Sequence, residues 1–192
     1  MHHNLQPLFI IFLSIVVVER AWEMFFRKTS REAGVIEYKW SLSALLITYI
    51  LILCSTVIEL FTVKRESSVI INLFGLLLFI FSFILRNWSI ATLDRFHSTN
   101  IEIKPGHSLI IKGPYKYIRH PYYASVMIEV LSIPLTVNSL FTIWLVLRLY
   151  MPFVLVRVYL EERVFARVFG EEFMRYKKEV SAFIPFHGFK RM

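Results

Sequence analysis

A chain of 192 residues that is 56% hydrophobic and 16% aromatic, with a mean hydropathy of +0.57, carries more apolar side chains than a water-soluble domain of its length needs. The formal charge of +8 does not point to nucleic acid, because the basic residues are interleaved with acidic ones and flank apolar segments, which suits anionic lipid headgroups instead. A single cysteine, Cys54, excludes an intrachain disulfide framework or a cysteine metal site.

Five apolar segments predict an all-α integral membrane protein of about five transmembrane helices: Leu5 to Glu19, Leu42 to Phe61, Val69 to Leu85, Tyr122 to Val137 and Ser139 to Tyr159. The first extends through Trp22, Phe25 and Phe26 as an interfacial helix. It has no basic residue within the chain before it and no small-residue cleavage site after it, so it is expected to stay in the membrane. The chain reads as one domain, with three spans in 1–86 and the polar loop, two spans and a C-terminal helix in 87–192. Lysine and arginine collect in 20–39, 86–121 and 158–192, against only Lys64 and Arg65 on the other side. This asymmetry predicts an outside N-terminus and puts both large polar segments on the cytoplasmic face.

Glu19 and Glu23 share a helical face; they either border an acceptor entrance or sit solvated at the interface. After the third span, Asp94 to Gly113 sets Ile101, Ile103 and Leu109 to Ile111 around Lys104-Pro105-Gly106, which predicts a compact hairpin or re-entrant segment. Pro114 and Pro121 then limit Tyr115 to Arg119 to one helical turn. Such corners leave backbone groups free to meet a ligand, and the helix restarting at Pro121 offers its positive end. The tyrosines here read equally as interfacial anchors or ligand contacts, whereas His120, wedged before a proline at a span entrance, reads as a ligand contact.

Deeper in the last two segments stand Glu129 and Arg148, nine residues before and ten after the turn at Asn138. An antiparallel hairpin places them at similar depth, so they are expected to pair, with a place in a substrate tunnel as the alternative. Pro152 is expected to kink the last span. Arg157 and Glu161 share a helical face and either pair with each other or address one pocket; Glu162 points to a different neighbour. Gly170 is expected to end that helical run, and the stretch to Val180 to cap the cytoplasmic site.

Taken in order, Gly106-His107-Ser108-Leu109-Ile110, Gly113-Pro114-Tyr115, Arg119-His120-Pro121-Tyr122-Tyr123, Arg157 with Glu161-Glu162, Phe169-Gly170-Glu171-Glu172 with Tyr176-Lys177-Lys178, and Ile184-Pro185 form a pattern. Through it the chain resembles the isoprenylcysteine carboxyl methyltransferase family of integral membrane methyltransferases. The resemblance implies S-adenosylmethionine as methyl donor at the cytoplasmic ends of the last spans and a lipophilic small-molecule or prenylated acceptor from the bilayer. It implies cofactor contacts from Asn100, His107, Ser108, Leu109, Ile110, Tyr115, His120, Pro121, Tyr122, Tyr123 and Glu161. It assigns the acceptor to Arg157; Glu129 and Arg148 stand as candidate tunnel residues on their position in the spans, and no metal is expected. Only six glycines and no G-x-G-x-x-G argue against a Rossmann cofactor domain.

The N-terminal half, at Glu19-Arg20-Ala21-Trp22-Glu23 and Ala33-Gly34-Val35-Ile36-Glu37-Tyr38, looks more like bacterial members of the wider family, some of which methylate acidic hydroxyls of pyrone or resorcinol lipids. The expected activity is methyl transfer to an acidic oxygen of a lipophilic acceptor, a carboxylate first. The rivals are an enolic or phenolic hydroxyl, a phospholipid amine that would need His107 or His120 as base, and a catalytically silent membrane scaffold.

Overall fold

The computed structural model describes residues 5–25, 34–63 and 68–185. Lys64 and Arg65, with Arg27, Lys28 and Arg31, lie outside the described residues, so the charge asymmetry rests partly on residues without a described position. The protein is mostly helical: α1 Gln6–Phe25, α2 Lys39–Thr62, α3 Val69–Leu93, α4 Pro121–Thr136, α5 Leu140–Leu145 and α6 Met151–Glu179. The expectation of an all-α fold needs one amendment. Val35–Glu37 (β1) and Ile101–Ile103 (β2) pair antiparallel, Val35 opposite Ile103 and Glu37 opposite Ile101. The alternation that suggested a hairpin within the loop is instead completed by a strand 66 residues earlier in the chain, which repetition within the loop cannot reveal.

Three helical stretches, 39–62, 69–96 and 140–179, are long and apolar enough to cross a membrane. Their outward faces are apolar, with Ile47, Ile50, Ile58, Ile70, Leu77 and Ile84 all more than half exposed. The inward faces carry Thr48, Thr56, Asn72, Ser82, Ser132 and Thr136, all buried. This inside-out distribution is what lipid as solvent demands: hydrocarbon accepts aliphatic side chains, and polar groups find partners within the bundle. On α3 the buried positions Asn72, Gly75, Phe79, Ser82, Arg86 and Ser89 follow the three-and-four spacing of one helical stripe. That stripe packs on α4 so closely that a Cβ on Gly75 would lie 2.5 Å from the Thr136 nitrogen.

The α4–α5 turn is as tight as expected. Asn138 adopts φ 58°, a left-handed conformation asparagine tolerates. Glu59 of α2 then caps α5, its two oxygens accepting the N–H groups of Phe141 and Thr142 at 3.0 Å each. Between α5 and α6 the helix widens into a π turn, Val146–Tyr150. This lies just where Pro152 removes the hydrogen bond to the Arg148 carbonyl, so the helical run continues through the proline with no non-helical residue there. The break falls later, at Gly170, whose φ of 52° ends the regular run where the sequence put it.

The expected Glu129–Arg148 pair is not formed. Glu129, fully buried, meets Arg86 of α3 and Arg20 of α1, the latter at 2.5 Å, and receives the Tyr49 hydroxyl at 3.4 Å. Arg148 is exposed and stacks on Trp144, 5.4 Å from its ring centre. Counting residues from the turn gives equal depth but not equal azimuth. Val146 and Tyr150 are the buried positions of that turn, so Arg148 between them faces outward.

Candidate functional site

The site is built where α3 ends. Asp94, at φ 50°, turns the chain into a short 3-10 segment that presents Phe96 and His97. The buried Lys104 ammonium folds back beneath this loop, donating to the carbonyls of Arg95 and His97 at 2.7 Å each. Glu102 accepts the Gly34 N–H at 2.6 Å and so ties β2 to β1 at the loop's edge. Gly113, at φ 58°, passes Thr92 so closely that a Cβ would meet its Oγ1 at 2.6 Å, which makes glycine the residue for that corner. The single 3-10 turn Gly113–Lys116 follows, as the two prolines dictate.

On the opposite wall, α6 repeats its inward positions every four residues: Arg157, Glu161, Phe165, Phe169 and, past Gly170, Phe173. The segment beyond Gly170 closes over the loop. Phe173 and Tyr176 are buried, and the Tyr176 hydroxyl donates to the Tyr115 carbonyl at 2.6 Å. Glu162 serves a neighbour distinct from that of Glu161, as its helical phase requires. It accepts from Arg119 at 2.8 Å and Lys177 at 2.6 Å, and meets His120 Nε2 at 3.0 Å.

These walls enclose a cavity of about 800 Å³, mouth included. Asn100, His107, Ser108, Leu109, Ile110, Tyr115, His120, Tyr122, Tyr123 and Glu161 all line it, together with residues the sequence reading did not single out, such as Phe96, His97 and Glu102. Pro121 starts α4 behind the wall rather than on it. One expectation is overturned. The backbone N–H groups of Arg119 and His120 are not free for a ligand, because they donate to the carbonyls of Ser181 at 2.9 Å and Ala182 at 3.1 Å. The C-terminal segment thus consumes the donors that the proline corner exposes.

Two buried polar atoms in this cavity have no hydrogen-bond partner, His107 Nδ1 and Glu161 Oε2. The His107 ring stacks on Phe96, centroids 4.6 Å apart and planes 3° from parallel, with Phe165 and Phe169 edge-on to it. Burial, reinforced by the nearby Lys104 charge, holds the imidazole below its ordinary pKa of 6.5. Burial likewise keeps the Tyr115 phenol protonated, well above its ordinary range. The donor set is a carboxylate, a neutral imidazole, an amide and aromatic faces. Such a set can accept from hydroxyls and offer faces to a cation, and the two unpartnered atoms are open to further hydrogen bonds.

A second cavity, of about 670 Å³, lies between α1, α2, α4 and α6. Arg157 lines it rather than the first. Its guanidinium is 3% exposed and donates to the Tyr123 hydroxyl at 3.1 Å, the Ser41 hydroxyl at 2.8 Å and the Thr99 carbonyl. Among the described residues no carboxylate pairs with it. Arg157 and Glu161 therefore share a face without sharing a pocket, and the Tyr123 hydroxyl that contacts Arg157 also reaches Glu161. Tyr122 and Tyr123 line both cavities. Glu129 and Arg148 line neither cavity: the first is spent inside the bundle and the second faces outward.

Comparison with known proteins bears on the same region. The model of the isoprenylcysteine carboxyl methyltransferase (ICMT) family matches residues 75–167. Over 144 residues the chain is 33% identical to the uncharacterized protein YpbQ of Bacillus subtilis (strain 168), an overlap covering 72% of this chain and 84% of that protein.

Proposed function

The chain belongs to the isoprenylcysteine carboxyl methyltransferase family of membrane methyltransferases, and from that premise we propose that it moves a methyl group from S-adenosylmethionine to an acidic oxygen of a lipophilic acceptor, a carboxylate first. In this reading the larger cavity holds the cofactor and the second cavity holds the acceptor's polar head. The observation that carries it is the buried Arg157 cation, whose hydrogen-bond partners among the described residues are neutral oxygens and which faces the second cavity. A guanidinium so placed favours an anion from outside the chain.

Glu161 would accept from ribose hydroxyls, Asn100 and His107 to Ile110 would border the nucleoside, and Tyr115, Tyr122 and Tyr123 offer faces to a cation. When bound, the cofactor supplies an electrophilic methyl group on a sulfonium. The chain's own part is position. A carboxylate is ionised near pH 7 and needs no base. Arg157 can hold it through two parallel hydrogen bonds and aim one oxygen between the two tyrosines. Phe165, Phe169, Phe173 and Tyr176 keep water from the donor side.

A second acceptor class is favoured by one observation: four tyrosines, Tyr49, Tyr122, Tyr123 and Tyr150, line the acceptor cavity. Such walls suit a flat head such as an enolic pyrone or a resorcinol, whose acidic oxygen Arg157 would stabilise as an anion. In the membrane, α1 and α4 join the three longer stretches as spans, with the N-terminus outside and both cavities at the cytoplasmic end. Exposed Trp22, Trp40, Trp88, Tyr117 and Tyr159 near the cavities suit an aromatic belt at a membrane–water interface, and the lysine and arginine asymmetry supports the choice of side.

The deciding experiment is titration of S-adenosylmethionine into detergent-purified protein beside Glu161→Ala. Saturable binding, weakened at least about tenfold by the loss of a charge-assisted hydrogen bond, is expected. Absence of binding by folded wild-type protein would overturn the reading. With binding established, N-acetyl-S-farnesylcysteine and an alkylresorcinol, offered with labelled cofactor, separate the two acceptor classes.

A further inference from the structure

Glu23 of α1 shares a helical face with Glu19 and lines the second cavity but lies outside the stretches assigned to the cofactor, yet it is only 4% exposed and holds a residue of both cavity walls. Its Oε1 accepts the Tyr122 hydroxyl at 2.9 Å. Its Oε2 is fixed from behind by Arg86 Nε at 3.1 Å and Arg20 at 3.3 Å. Tyr122 and Tyr123 are the two residues common to both cavity walls, so any passage between donor and acceptor runs along them. Each tyrosine has its own restraint. Tyr123 is held by Arg157, within the motif region, and Tyr122 by Glu23, from a helix outside it.

We propose that Glu23 is a positioning residue for methyl transfer: it fixes the Tyr122 ring and with it the opening through which donor and acceptor meet. The inference rests on the two-cavity reading above. The physical ground is that a tyrosine ring turns about two torsions, and beyond its ring contacts with His97 and Tyr123 the hydroxyl is the polar handle by which the far end is held. A carboxylate clamped by two guanidiniums is a stiff anchor for that handle. Reactant misplacement by about 1 Å lowers rates on the order of a hundredfold, so loss of the anchor acts on turnover rather than on cofactor affinity.

The test combines three readings on full-length protein in detergent: turnover of N-acetyl-S-farnesylcysteine, affinity for S-adenosylhomocysteine, and the fluorine resonance of 3-fluorotyrosine placed at position 122. Tyr122→Phe keeps the ring and its packing, so it loses the anchor without a cavity. Tyr122→Phe and Glu23→Ala are each expected to lower turnover at least about tenfold, and the double variant no further, since both remove one interaction. Because the Tyr122 ring still borders the first cavity in each variant, affinity for S-adenosylhomocysteine should fall far less than turnover in all three, whereas a general loosening of the bundle would lower both together. The fluorine line should shift and broaden in Glu23→Ala. Glu23→Gln should restore turnover and line shape, because its amide oxygen still accepts the hydroxyl.

Unchanged turnover in Tyr122→Phe, or parallel loss of S-adenosylhomocysteine binding, overturns the proposal. If wild type binds S-adenosylhomocysteine but does not methylate the farnesyl acceptor, the carboxylate reading fails instead. The fluorine line then still decides the anchor, and an unaltered line in Glu23→Ala removes it.

Discussion

Arg86 of α3 and Glu129 of α4 form an ion pair in which each side chain is 1% exposed, and Arg86 extends the same guanidinium to Glu19 and Glu23 of α1. One arginine therefore joins three helices, beside the Arg20–Glu129 and Tyr122–Glu23 contacts that also tie α1 to α4. With Arg20 the cluster contains three carboxylates and two guanidiniums.

That count makes the two halves of the pair unequal. Glu129→Gln leaves two carboxylates facing two guanidiniums, and its amide oxygen still accepts from Arg86. Arg86→Met leaves three buried carboxylates to Arg20 alone. Arg86→Met should therefore lose about 3–5 kcal/mol of stability and Glu129→Gln about 1 kcal/mol. Combining Arg86→Met with Glu129→Leu should recover part of the larger loss. Thermal unfolding of the detergent-solubilised variants decides it, and equal losses for the two single changes would count against the charge argument.

Arg157 predicts a separation of binding from chemistry. Arg157→Ala should reduce methyl transfer by about a hundredfold or more, the scale of losing a bidentate, oriented carboxylate clamp, while S-adenosylmethionine affinity changes by no more than about threefold. Arg157→Lys should recover little, since an ammonium lacks the planar fork. Titration of cofactor beside single-turnover measurement distinguishes this from a role in the donor cavity, where both quantities would fall together.

Glu59 predicts a smaller, local effect. Its carboxylate accepts two N–H groups at the start of α5 and the Thr142 hydroxyl at 3.0 Å, so it replaces the missing turn of that helix. Glu59→Ala should lower stability by about 1–2 kcal/mol, in the range of other helix caps. Glu59→Gln, which keeps the accepting oxygen for one N–H, should lose about half of that. Neither should change cofactor affinity, because the cap lies at the far end of the bundle from the donor cavity.

How much of this was legible in the sequence depends on whether a partner is local. The helical segments, the single turn between Pro114 and Pro121, the break at Gly170 and the separate duties of Glu161 and Glu162 follow from spacing and chain stereochemistry, which act over a few residues. The polar residues of the first cavity came instead through the family resemblance, which their contiguous stretches carry and which spacing alone does not supply. The buried cluster was not, because its partners are Arg20, Arg86 and Glu129 on three different helices. Arg86 reads as the first basic residue of a loop when the third span is taken to stop at Leu85, yet α3 runs on to Leu93. The signal was present: Arg86 continues the stripe of Asn72, Gly75, Phe79 and Ser82, and a stripe that stays in phase past an arginine marks it as inward-facing. The strand pair was hidden by sequence distance, and the Glu129–Arg148 expectation failed on azimuth, which depth alone does not fix.

His107 gives the site a dependence on pH with a definite sign. In the folded protein, burial and then Lys104 hold its pKa below 6.5, whereas in the unfolded chain it titrates near 6.5. Above 6.5 the imidazole is neutral in both states and contributes nothing to the pH dependence of folding. As pH falls below 6.5 the unfolded chain takes up the proton first, so stability declines until the folded value is passed. Cofactor binding should follow the same direction. A protonated His107 adds a second cation beside Lys104 in a cavity proposed to receive a sulfonium. S-adenosylmethionine affinity is therefore expected to fall as the pH drops below 6.5 and through the lowered folded value. S-adenosylhomocysteine, which lacks the sulfonium charge, should lose less over the same interval. His107→Gln should flatten both profiles while leaving the difference at neutral pH small. Calorimetric titration at several pH values checks all three arms, and a profile that persists unchanged in His107→Gln would assign the titration to another group.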